Sequence, residues 1–219
     1  MKGVLITFEG IDGCGKTTHS KKLKSYLLQK GYKVLLVREP GGEKIAEKIR
    51  KILLSSKNSN LTPLAELFLY NASRSQLIQG VILPALKDNK IVICDRFFDS
   101  TLAYQGYGRG LDKSMISYFN RIAAYGLMPD LTILIDLAPI VALKRKGQAG
   151  MVKDRLEQEN LNFRKKVRSG YLRIASTNRK RFRIIHAKEN TKDTWLAIKK
   201  VVDEFLKNKE RRCQTKEGI

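Results

Sequence analysis

Lys16 and Thr17 close an eight-residue run, Gly10-Ile11-Asp12-Gly13-Cys14-Gly15-Lys16-Thr17, that satisfies the spacing G-x-x-x-x-G-K-[ST]. Glycines in such a run let backbone N–H groups turn inward around a phosphate without Cβ clashes. A helix that follows at once adds its unpaired N–H groups and the positive end of its dipole. Lys16 is placed to reach β- and γ-phosphates, and the Thr17 hydroxyl to hold Mg²⁺. The run predicts a binding surface for a nucleoside triphosphate from Gly10 to Thr17. The alternative, a glycine-rich turn that happens to precede a helix, requires Lys16-Thr17 and both flanking elements to be coincidence.

Three further groups could do chemistry. Asp95 ends an apolar run, the place where a phosphate-loop fold puts a carboxylate that holds Mg²⁺ directly or through water. Arg96 follows it and can grip a phosphate with two parallel bonds, although an ion pair at a strand end is the plainer reading. Tyr70 and Arg74 lie four apart, so on a helix they share a face. A ring beside a guanidinium suits stacking on a base while bonding its edge; otherwise Tyr70 simply belongs to the apolar face. Lys144, Arg145, Lys146, Lys153 and Arg155 crowd one segment that also carries Gly147 and Gly150. Read as a mobile lid over about 144–159, it delivers cations to a transferring phosphoryl group; read alone, it is a solvated basic loop. His19 and His186 have no companions that suggest catalysis or a metal.

The elements that must position these groups alternate. Apolar, β-branched runs at 4–9, 33–38, 91–95, 131–136 and 182–185 read as strands, each buried on both faces. Helical spacing follows at 17–30, 45–53, 63–84, from near 112, 139–144, up to about 175, and 194–206. Pro40 with Gly41 and Gly42 forces a turn after the second strand. Pro63 suits the first turn of its helix, and Pro84 is a candidate kink. Residues 99–110, rich in glycine and polar groups, are expected to form an ordered loop. Five such units predict an α/β fold with a parallel, doubly wound sheet, whose ligands bind at the carboxyl ends of the strands. Gly10, Glu39, Asp95 and Asp136 all fall there. The expected organisation is one domain over 1–207 and a frayed charged tail over 208–219.

Composition bounds the partners. The chain of 219 residues carries 43 Lys and Arg against 21 Asp and Glu, a net of +22. Residues 144–219 hold 23 basic and 9 acidic side chains, so +14 of that excess lies in the last third. Such a balance suits nucleic acid, polyanionic nucleotides or merely solvated basic faces. No aromatic-interleaved basic stripe and no nucleic-acid-binding motif accompanies it, so specific nucleic-acid binding is not expected. No apolar run approaches a membrane span, and three scattered cysteines with no C-x-x-C pair suit a reducing cytoplasm. A guanine-selective N-K-x-D motif is absent, which argues against a GTPase switch.

Several segments together resemble one family. Phe8-Glu9-Gly10 through Lys16-Thr17-Thr18 is similar to the opening of thymidylate kinases, as is Arg38-Glu39-Pro40-Gly41-Gly42. Asp95-Arg96-Phe97-Phe98-Asp99-Ser100-Thr101-Leu102-Ala103-Tyr104-Gln105-Gly106 resembles that family's D-R-[YF]-x-x-S-x-x-A-Y-Q-G segment. Asp154-Arg155-Leu156-Glu157 and Val167-Arg168-Ser169-Gly170-Tyr171-Leu172 resemble its lid exit and the helix beyond. The resemblance implies a P-loop nucleoside monophosphate kinase fold with a five-stranded parallel sheet and a lid. It implies transfer of the ATP γ-phosphoryl to dTMP with Mg²⁺, supplying dTTP synthesis, in a homodimer. Position by position, it implies that Tyr70 stacks on thymine while Arg74 bonds its edge, and that Ser100 and Thr101 lie against the base. Glu39 joins this dTMP-binding set. Tyr104 packs where a ribose 2′-hydroxyl would project, with Gln105 nearby. Arg96 binds the monophosphate, and Asp12 lies close to the acceptor phosphate and Mg²⁺, held by Thr17 and Asp95. Gly13 and Cys14 supply no arginine inside the loop, so the catalytic cation comes from the lid, as in the bacterial subtype. Arg145 and Arg155 are the candidates, Lys153 the reserve; which of them acts stays open.

Overall fold

The structure is a computed structural model and describes residues 3–147, 154–156, 158–188 and 190–217. Strand β1 (Val4–Glu9) has every residue buried, as a strand covered on both faces must. It pairs in parallel with β3 (Ile91–Asp95) on one side and β4 (Leu131–Asp136) on the other. Strand β2 (Val34–Arg38) flanks β3, and β5 (Phe182–His186) flanks β4, giving the order β2-β3-β1-β4-β5. In this register Phe8 and Arg38 both sit opposite Asp95, and Asp136 sits opposite His186. The polar residues that end the apolar runs therefore gather along one edge of the sheet.

Helices connect the strands, and local chemistry starts several of them. Helix α1 (Lys16–Gln29) begins directly from Gly15, whose φ of 98° is open to glycine and strained for other residues. The carboxylate of Glu43 accepts from the Ile45 and Ala46 amides at 2.8 and 3.2 Å and caps α2 (Lys44–Leu54). Thr62 caps α3 (Pro63–Leu77), with Pro63 in its first turn. A π-helical stretch, Ile78–Ile82, then leads into α4 (Leu83–Lys87). The candidate kink at Pro84 is thus a wide turn placed just before the proline, one way to accommodate its missing N–H.

The segment expected as a loop over 99–110 is helical instead. It comprises α5 (Phe98–Thr101) and a π-helical stretch, Leu102–Gly108. Gly106 and Gly108 serve packing, whereas Gly110, with a φ of 83° and open space around it, turns the chain beyond the stretch. A Cβ on Gly108 would stand 2.7 Å from the Phe163 ring, and one on Gly170 would stand 2.7 Å from Tyr107. This seam lets the stretch lie directly on α8 (Leu161–Thr177). Helix α6 (Lys113–Ala123) is capped by Asp112, and α7 (Pro139–Gly147) follows β4. Helix α9 runs from Thr191 to Glu217, past the expected end near Leu206. Within it the start of the tail expected to fray makes contacts, Lys209 pairing with Asp130 at 2.5 Å and Tyr32 donating to Glu210 at 2.8 Å, while 218–219 lie outside the described residues. Among the described residues no helix is long and apolar enough to cross a membrane.

Candidate active site

A cleft of about 640 Å³ opens over the carboxyl edge of the sheet, lined on one side by the glycine loop and on the other by α3, α5 and the Leu102–Gly108 stretch. Its donor side is shaped by backbone. Gly10, Gly13 and Gly15 adopt φ values of 139°, 85° and 98°. A Cβ at Gly10 would meet the Ile135 carbonyl oxygen at 2.5 Å. The Lys16 ammonium folds onto the loop, donating to the Gly10 and Ile11 carbonyls at 2.9 Å each. Thr17 Oγ1 donates to Asp95 Oδ2 at 2.5 Å. Burial raises the pKa of the Cys14 thiol beneath the loop, so it stays a protonated, buried side chain.

Arg96 stands where the two sides meet. Its φ of 72° lies in the left-handed region, uncommon for a side-chain-bearing residue. That twist turns the guanidinium back over the loop. Nη1 donates to Gly10 O at 3.0 Å, Ser100 Oγ at 3.1 Å and Tyr171 OH at 3.0 Å. Nη2 donates to Asp12 Oδ1 at 2.5 Å and Tyr104 OH at 3.1 Å, while Tyr104 OH donates to Asp12 Oδ2 at 2.7 Å. Burial alone would pull the arginine's pKa down; Asp12 and the surrounding tyrosines and Glu9 outweigh it and raise it well above the ordinary value.

The acceptor side is held by side chains. Arg74 is buried and spans three elements: Nε donates to Glu39 at 2.8 Å, Nη1 to Asn120 at 2.8 Å and Asn71 at 3.4 Å, and Nη2 to Thr101 at 2.8 Å. Four of its five donors are thus engaged, and the guanidinium still lines the cleft. Glu39 precedes a cis bond to Pro40, and its second carboxylate oxygen is buried with no described partner. Burial pushes its pKa up to about 7 against the pull of Arg74. Glu9 accepts from the Phe97 amide at 2.8 Å, Ser100 Oγ at 2.6 Å and Tyr171 OH at 3.1 Å. Burial, reinforced by Asp99, also pushes it to about 7. Tyr70 lines the same wall.

The cleft therefore gathers Asp12, Lys16, Thr17, Glu39, Tyr70, Arg74, Asp95, Arg96, Ser100, Thr101, Tyr104, Gln105 and Arg145. Arg145 lies on α7 and its Nη2 donates to the Lys188 carbonyl at 3.1 Å. Arg155 is not among the lining residues. Its guanidinium is buried, bound to the Glu66 carboxylate and to Leu53 O at 3.0 Å, so in this conformation it braces the wall and does not face the reacting groups. Of the expected lid, 144–147 belong to α7, whereas 148–153, including Lys153, and Glu157 lie outside the described residues. The sequence reading missed Glu9, Glu66 and Tyr171, and also Arg38 and Arg50, which line the cleft. Glu9 had a signal, being a carboxylate at the end of an apolar run like Asp95 and Asp136. Tyr171 had one only in the family resemblance of Val167 to Leu172, and Glu66 had none at its own position.

The thymidylate kinase family model matches residues 8–198. The chain belongs to that family. Thymidylate kinase of Geotalea daltonii is 52% identical over 202 residues, which cover 90% of this chain and 94% of the relative. That of a Thermoanaerobacter species is 48% identical, over 94% of this chain and all of its own. The crystal structure of thymidylate kinase from Ehrlichia chaffeensis superposes with a TM-score of 0.77 at 37% identity, covering 92% of this chain and all of the other. Membership of this family agrees with the five-stranded parallel sheet and the loop-to-helix junction at Lys16.

Proposed function

We propose that the cleft carries out the family's reaction as an in-line transfer, with the ATP phosphates on the Gly10–Thr17 loop and dTMP against the Arg74 wall. The enzyme phosphorylates dTMP to dTDP with ATP and Mg²⁺, a step in supplying dTTP for DNA synthesis. The observation that carries the geometric reading is Arg96, a guanidinium with bonds to the loop carbonyl at Gly10 and to the acceptor-side Ser100, Tyr104 and Tyr171. A dTMP phosphate bound there would lie next to the loop that holds the donor. Asp12 is already taken up by Arg96 and Tyr104, and the acceptor phosphate is itself anionic, so no general base is called for.

Tyr70 would stack on the thymine, and Arg74 and Thr101 would meet its edge, with Ser100 and Gln105 beside it. Tyr104 would close the space that a 2′-hydroxyl needs. The Thr17 hydroxyl and Asp95 carboxylate form a hard oxygen pair suited to Mg²⁺, which takes one or two protein ligands and completes its shell with phosphates and water. When bound there, the ion would neutralise charge on the β- and γ-oxygens. Lys16, released from the loop carbonyls, would hold the transferring group, and Arg145 would supply the lid-side cation. Leu64, Phe68, Tyr118, Ile122 and Tyr125 leave an exposed apolar face on and beside α3 and α6. That face supports a homodimer, which sedimentation at assay concentration distinguishes from a monomer.

A coupled assay of ADP release across dTMP, dCMP, dGMP, UMP and thymidine tests the reading. The expected result is dTMP as the preferred acceptor by a wide margin. UMP or thymidine as the best acceptor would remove the base and sugar roles given to Tyr70, Arg74 and Tyr104.

A further inference from the structure

Glu66 lies on α3 one turn before Tyr70, is fully buried, and does not line the cleft. A buried carboxylate is costly unless it is paired and hydrogen-bonded. Here it collects donors from two separate stretches, the Leu102–Gly108 stretch with its cap Arg109 and the turn at Arg155. Oε1 accepts from Gln105 Nε2 at 2.7 Å and Arg109 Nε at 3.4 Å. Oε2 accepts from Arg155 Nη2, and from Arg109 Nη2 at 3.4 Å. Arg109 is balanced in turn by Glu159 at 2.5 Å, so two arginines face two carboxylates.

The placement of Arg155 gives this cluster its consequence. The residues on either side of it, Asp154 and Leu156, line the cleft, whereas Arg155 points away from it into Glu66. Its backbone N–H donates to Leu54 O at 3.2 Å and its Nε to Leu53 O at 3.0 Å. Those carbonyls fix the turn along α2, and through Arg155 the Glu66 carboxylate ties it to α3 and to Gln105.

We propose that Glu66 is a positioning residue for the acceptor: by holding Arg155 and Gln105 together, it sets the Asp154–Leu156 turn and the Gln105 wall at the separation that dTMP requires. The proposal rests on the acceptor side of the cleft being the dTMP site. It concerns a residue that touches neither nucleotide. Glu66→Gln keeps the volume and one acceptor for Gln105 while losing the charge that binds Arg155. Arg155→Met removes the other partner and leaves Glu66 with Gln105 and Arg109.

The test is steady-state kinetics of Glu66→Gln, Arg155→Met and the double variant, with thermal melts and circular dichroism to establish folding. Each single variant is expected to raise KM for dTMP at least about fivefold, with KM for ATP held within about twofold. The double variant is expected to be no worse than the worse single one within about twofold, because both break the same contact. A merely structural brace would lower melting temperature and leave the KM values alone. That outcome overturns the proposal, as do parallel rises in both KM values or fully multiplicative effects. If Glu66→Gln does not fold, Arg155→Met decides by the same KM split. Wild-type selectivity, measured alongside, keeps the two readings apart: loss of dTMP preference there would overturn the site, not the role of Glu66.

Discussion

The donor and acceptor sides of the cleft are built on different principles. The donor side is local: residues 10–17 shape the loop through their own backbone angles, and Lys16 bonds carbonyls five and six residues away. The acceptor side is assembled at a distance. Arg74 reaches Glu39 across 35 positions, Thr101 across 27 and Asn120 across 46, all buried. One side gains its specificity from conformation that glycine permits. The other gains it from charges that must find partners before the core can close. Losses on the donor side should therefore appear as rate, and losses on the acceptor side as stability as well.

Lys16→Ala gives the largest effect and sharpens the comparison. In the fold the side chain bonds within the loop, to the Gly10 and Ile11 carbonyls and to Cys14 Sγ, and under the proposed function it supplies a fixed cation to the transferring group. Turnover is expected to fall on the order of 10³-fold or more with little change in melting temperature. A folded variant with near-normal kcat would break the donor assignment. Arg74→Met is the counterpart. It leaves Glu39 buried without its cation, and breaking such a pair costs about 3–5 kcal/mol, or on the order of 10 °C in melting temperature. The loss should be greatest above pH 7, because Glu39, whose pKa burial raises to about 7, can protonate below it. A melt within about 1 kcal/mol of wild type would mean that the acceptor side is no more cooperative than the donor side.

Arg145→Ala comes next. A cation acting mainly in the transition state should lower kcat about tenfold or more with KM for both nucleotides little changed. Unaltered kcat would leave Lys16 and Arg96 as the catalytic cations. Glu9→Gln is read in stability against pH and probes the boundary between the sides. Glu9 has a folded pKa of about 7 against an ordinary value of 4.5, so the folded chain keeps a proton there that the unfolded chain has lost. Its contribution to stability is complete below about pH 4.5 and disappears as pH rises through 7. The neutral glutamine escapes this loss, so the variant should gain on wild type between about pH 4.5 and 7, by at most about 1.4 kcal/mol per pH unit. Parallel melting curves over that range would show that Glu9 is ionised throughout.

Legibility in the sequence follows the same division. The strands, the glycine loop and the positions of Asp95, Tyr70 and Arg74 at the cleft were readable because each depends on spacing within one element. The helical stretch at 98–108 was misread because its glycines looked like loop formers; Gly108 is there to let Phe163 pack close, as Gly170 on α8 does for Tyr107. Arg155 was expected to face the reacting groups. Its actual partner is Glu66, 89 positions away, which no local rule reaches. Likewise α9 outruns its apolar pattern because Lys209 and Glu210 find partners on other elements.

The left-handed backbone at Arg96 has a consequence for how this protein can be improved. Such a conformation costs an ordinary residue on the order of 1–3 kcal/mol, and glycine would relieve most of it. That relief is smaller than what glycine at 96 discards, because the guanidinium's pairing with Asp12 and its bonds to Gly10, Ser100, Tyr104 and Tyr171 hold the two sides of the cleft together. A stabilised descendant of this enzyme has to gain its durability elsewhere, because at this position the strained backbone and the bonds that bridge the cleft belong to one residue.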